Sequence, residues 1–146
     1  MKRHQDILHQ IVRIVQSGHD FFVDAYAGLT VPELRMAFTY IVDVKSQFLT
    51  DLAPWVTLSN QPVTDADSPV VTIERIYSDA KRNFHGSRLE SSANELGFGE
   101  AQLLRLVERA CESTDDITLK RTLKAYCPQI VICREAMWRL SARLAA

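Results

Sequence analysis

Residues 28–34 read "GLTVPEL", and the fold turns on whether this stretch joins two helices. Gly28 suits the position just past a helix end, where φ is positive. Thr30 and Glu33 stand at capping-box spacing, and Pro32 falls in a first helical turn, where its missing N–H costs nothing. The stretch therefore reads as helix end, short link, helix start. Upstream, Leu8, Ile11, Val15, Gly18, Phe22, Ala25 and Leu29 recur at intervals of three and four, the core stripe of an amphipathic helix. Downstream, Leu34, Phe38, Ile41, Phe48, Leu52 and Trp55 form a second stripe. So short a link makes the two helices antiparallel neighbours.

The same periodicity organises the rest of the chain. Residues 57–68, "TLSNQPVTDADS", read as a loop whose length fits a crossover to the far side of a bundle. From Pro69 onward Val70, Ile73, Ile76, Tyr77, Ala80 and Phe84 share a face. Residues 85–99, "HGSRLESSANELGFG", predict a short helix that breaks near Gly97 and Gly99. "EAQLLRLVERACES" turns Leu103, Leu104, Val107 and Ala110 inward. Residues 114–116, "TDD", cap a last helix running through Leu119, Leu123, Tyr126, Ile130, Met137 and Leu144, with a kink expected at Pro128. The expectation is one all-α domain over residues 1–146, with principal helices near 3–28, 31–55, 69–85 or 98–113, and 116–144. Which middle segment completes the bundle stays open.

Bulk properties narrow the function classes. The chain has 146 residues, 47% hydrophobic and 24% charged, with a formal net charge of −1. That balance carries no general nucleic-acid or membrane footprint. No apolar run approaches the ~20 residues a bilayer span needs. The basic start "MKRHQDILHQ" is followed by periodic, charge-interrupted residues, unlike a signal peptide. Three cysteines without a CxxC pair, Cys111, Cys127 and Cys133, read as reduced packed thiols. A reducing compartment, most simply the cytoplasm, follows. "KRNFHGSR" at 81–88 is basic but short and reads as a solvated turn.

Gly18, Phe22, Ala25, Pro32, Glu33, Leu34, Phe38, Gln47, Phe48 and Leu52 together resemble the first helical hairpin of a bacterial ferritin-like family of unknown function. "VERACESTDD" and "REAMWRL" are similar, more loosely, to its third and fourth helices. The resemblance implies an up-down four-helix bundle with a long crossover containing an extra short helix. The wider superfamily often holds two metal ions between a Glu from each of two helices and a Glu-x-x-His pair from each of the other two.

This sequence is poor in such ligands. At 100° per residue Asp20 and Asp24 point away from the core stripe, and His19 lies at its edge. The acid-x-x-His pair Asp6–His9 sits in the first turns, where a mid-bundle site would not be. His4 is terminal, and Arg82 precedes His85 where a carboxylate would be needed. In the last helix Met137 takes the inward position and Glu135 an outward one. The inward polar residue of the second helix is Lys45, within about 20° of the line through Leu34, Ile41 and Leu52. Lys45 and Arg134 have the wrong sign for a dication, and among carboxylates Glu100 is the better inward candidate and Glu108 the second. No phosphate loop, nucleophile elbow or local Cys–His pairing is present.

The resulting expectation is a bundle without a dimetal site and without cofactor, acting as a structural or protein-interaction module rather than an enzyme. One alternative is an iron- or manganese-dependent oxidoreductase or iron-handling protein with divergent ligands. Another is a regulatory module that binds a helix or small ligand in a groove along Phe21, Phe22 and Trp55. Ile7, Ile14 and Phe21 form a second apolar stripe on the first helix, which points to self-association, a dimer foremost. Lys45 should pair with Glu100 in the volume where relatives hold metal. On that basis Lys45→Met would be tolerated and Glu100→Ala would strand a charge.

Overall fold

The computed structural model describes residues 2–56, 69–83 and 89–145, and every regular element in them is helical. These are α1 (Lys2–Tyr26), α2 (Pro32–Leu52) with a 3-10 turn at Ala53–Trp55, α3 (Pro69–Asn83), α4 (Leu89–Ser113) and α5 (Ile117–Ala145). The 57–68 loop, residues 84–88 with His85, and the side chains of His4 and Asp6 lie outside what is described. Among the described residues no helix is long and apolar enough to cross a membrane.

The α1–α2 link forms where the sequence places it, by different local chemistry. Gly28 does not adopt positive φ. The chain leaves α1 in a tightened right-handed turn, Gly28 N–H donating to the Ala25 carbonyl and Leu29 N–H to that of Tyr26. The N-cap of α2 is extended Val31, not Thr30, and no side chain caps it. Pro32 at the first helical position forces the preceding residue out of the helical region, which moves the cap one residue later. Glu33 is thereby out of register for a capping box, and its carboxylate accepts from Arg143 instead, 2.9 Å from Nη2. At the start of α5 Asp116 is the cap: Leu119 N–H donates to Oδ1 at 3.0 Å.

Side-chain pairs fix the helix directions. Trp55 Nε1 donates to Asp116 Oδ2 at 3.0 Å, and Tyr126 donates to Asp51. Together with Glu33–Arg143, these tie the end of α2 to the start of α5 and the start of α2 to the end of α5, so the two run antiparallel. α4 and α5 are antiparallel across their link at 114–116 and form the most extensively packed pair. α3 lies along α1 in the same direction: Glu74 takes a two-pronged bond from Arg13 and a third from Ser17 Oγ, and Tyr77 reaches Gly18. α4 packs on α5, α3 and α1, whereas α3 packs chiefly on α1 and α4. The helix that partners α5 is therefore the later middle segment.

Three expectations fail for packing reasons. α4 does not break at Gly97 and Gly99. A Cβ on Gly97 would lie 2.3 Å from the Trp138 indole, and one on Gly99 would touch Ile73 and Ile76 of α3. Gly97 admits the Trp138 indole to a continuous helix, whereas a Cβ at Gly99 would make only ordinary van der Waals contact at 3.8 Å. The second stripe of α1 is also real but is covered within the chain. Ile14 and Phe21 are buried, with the Phe21 ring stacked 5.4 Å from that of Tyr77. Self-association through that stripe loses its premise, as does a groove along Phe21, Phe22 and Trp55. Both phenylalanines are buried, and the half-buried Trp55 is bonded to Asp116. α5 continues as helix through Pro128.

Candidate functional site

One polar cluster lies inside the apolar core, and each helix contributes a residue to it. Lys45 of α2 projects inward because it lies on the stripe of Phe38, Ile41 and Phe48. Its Nζ is 2.9 Å from Glu100 Oε1 of α4, and the two side chains are 3% and 1% exposed. The contact is one of charge with charge. Neither carboxylate oxygen has an aligned hydrogen-bond donor among the described residues. Phe22 of α1 lies beside the ammonium, its ring centroid 5.9 Å from Nζ. Tyr77 of α3 and Cys133 of α5 complete the surroundings, both buried.

Gly18 makes this arrangement possible. A Cβ there would stand 2.6 Å from the Tyr77 hydroxyl oxygen and 3.1 Å from Lys45 Cε. Glycine within a helix costs about 1 kcal/mol relative to alanine. Gly18→Ala recovers that helix preference but displaces a ring buried between Phe21 and Phe22. The net expectation is a loss of up to roughly 2 kcal/mol, from overpacking that costs about 1–3 against the helix gain of about 1. Chemical denaturation measures it, and a stabilised Gly18→Ala would show that Tyr77 has room to move.

The protonation states follow from burial and charge. Burial is the largest influence on Lys45 and acts to lower its pKa, but the facing Glu100 carboxylate, together with Tyr77 and Cys133, more than offsets it and holds the group above its ordinary 10.5. A group raised in the fold gives its stabilisation in full below the unfolded value and loses it only as pH rises through the folded value. The ammonium is therefore present throughout the neutral range. Burial raises the Tyr77 hydroxyl, and burial followed by the nearby Glu100 charge pushes the Cys133 thiol up to about 12. Tyr77 and Cys133 stay protonated at neutral pH, so neither acts as a base or nucleophile there. The sole anion of the cluster faces an ammonium.

The other predicted site residues are elsewhere. Glu108 is exposed on α4 and does not face the interior. His19 is 27% exposed at the rim of α1, 3.4 Å from Asp20. Arg134 follows Cys133 but turns away from the cluster. Its guanidinium lies over the Trp138 ring, 5.2 Å from the centroid, and bonds Glu135 at 3.1 Å. Its Nε is buried without a partner among the described residues. Sequence reasoning missed Tyr77 and Cys133 as members of the cluster, taking both as core. The signal that could have found them is Gly18, a glycine in the middle of a core stripe, where only a close neighbour explains so small a residue.

The donor set does not fit a dimetal centre. One buried carboxylate points at an ammonium, Glu108 faces outward and His19 is at the surface. Among the described residues no three His, Cys, Asp or Glu side chains converge. Comparisons with protein-family models, curated proteins and solved structures return no match.

Proposed function

We propose that this chain is a ferritin-like helical bundle that serves as a structural or protein-interaction module and not as a metal-dependent oxidoreductase. The observation that carries the reading is the Lys45–Glu100 pair. It places an ammonium among α1, α2, α4 and α5 where metal chemistry would need converging carboxylates and histidines. The helix directions support the ferritin-like part. α2 and α4 run the same way, which requires a return of bundle length between them, and α3 lies along that return as the extra helix of the crossover. The protonated Tyr77 and Cys133 support the non-catalytic part.

If the interior does no chemistry, an uncharged interior of the same volume should serve as well. Lys45→Met combined with Glu100→Leu is expected to restore a deletion strain to the wild-type phenotype. A folded double variant that fails to complement would place chemistry at the pair and overturn the reading.

A further inference from the structure

We propose that Glu100 is a buried cation seat whose resident cation is the Lys45 ammonium, so that the lysine, and not the shape of the bundle, keeps metal ions out. The inference rests on the non-metal reading above and deepens it. A carboxylate 1% exposed among apolar helices needs a positive charge or a proton close by. Here the charge is Lys45, 2.9 Å from Oε1. Oε2 has no hydrogen-bond partner among the described residues, so the carboxylate keeps a free ligand oxygen in a sealed site. The nearby Tyr77 hydroxyl and Cys133 thiol are neutral, so they add no second negative charge. The seat carries one unit of negative charge against one of positive, and a dication there would leave a charge uncompensated.

The lysine is also held by shape. Its Cε lies 3.1 Å from the point a Gly18 Cβ would occupy, so the stem runs through space that the glycine leaves. The ammonium is delivered to Glu100 by packing on α1 as well as by charge.

The test reverses the charge of the occupant. Lys45→Glu makes the seat dianionic, with hard oxygen donors suited to a cation such as Mn²⁺. Wild type, Lys45→Glu, and Lys45→Glu combined with Glu100→Gln are each incubated with Mn²⁺, desalted, and analysed for metal by elemental analysis and for Tm with and without Mn²⁺. The expected result is no retained metal and no Tm response in wild type. Lys45→Glu is expected to retain one Mn²⁺ per chain, with Tm raised by about 5 °C or more at millimolar Mn²⁺, and the double variant to lose both. A Lys45→Glu protein that folds only with Mn²⁺ supports the proposal equally. One that retains no metal, or that folds neither with nor without it, overturns the proposal and leaves the functional reading intact. Stoichiometric Mn²⁺ on wild type, abolished by Glu100→Gln, overturns both.

Discussion

Lys45→Met should remain foldable but lose about 3–5 kcal/mol of stability, and Glu100→Leu should lose a similar amount. Each removes one member of a pair whose two ends are equally sealed, 3% and 1% exposed, so each leaves the other charge buried and uncompensated. The expectation from sequence that lysine removal would be tolerated considered only the desolvated ammonium it removes and not the carboxylate it leaves behind. The structure removes that asymmetry. Replacing both members together should recover most of the loss, and a result within about 1 kcal/mol of wild type or above it is expected, because the desolvation of both charges disappears with them. Urea unfolding of the four proteins closes the cycle. Two singles that add up in the double variant would mean the charges do not interact, and a near-neutral Lys45→Met would mean that Glu100 reaches solvent or a proton.

The legible part of the fold was the part set by period. The stripes of α1, α2, α3 and α5 are buried much as the three-and-four spacing implies, and the same angular arithmetic placed Lys45 and Glu100 inside. What was not legible depends on contacts between elements. Gly97 and Gly99 look like helix breakers in one dimension, yet both lie inside a continuous helix, and Gly97 is where the Trp138 indole lands. Ile14 and Phe21 look unpartnered on an isolated helix; both are buried, and for Phe21 the partner is Tyr77 of α3. Glu108 lies eight residues after Glu100, about 80° further round the helix, and that rotation carries it from the interior to the exposed face of α4. At the α1–α2 link the boundary was right and the cap was wrong, because the effect of Pro32 on Val31 outweighs the spacing of Thr30 and Glu33.

Phe22→Ala should be the costliest apolar truncation around the pair, at about 3–5 kcal/mol, a large share of a small domain's total stability of roughly 5–15. The ring is fully buried. It meets Phe21 and Phe38 edge-on, with centroids 5.1 and 4.9 Å away, and so joins α1 to α2. Its second neighbour is the ammonium of Lys45, 5.9 Å from the centroid, and this makes the cost depend on what lies beneath. In the wild-type background the space left by the ring borders two charges. Water entering it solvates both and offsets part of the cavity term. In the Lys45→Met, Glu100→Leu background the same space is lined by apolar groups and stays dry, so the full cavity cost remains. Phe22→Ala is therefore expected to cost more without the ion pair than with it, by about 0.5–2 kcal/mol, within the usual range for side chains in contact. Equal costs in the two backgrounds would show that the ring packs the bundle without sealing the charges, whereas a larger cost in the presence of the pair would mean that its attraction for the ammonium outweighs water entry.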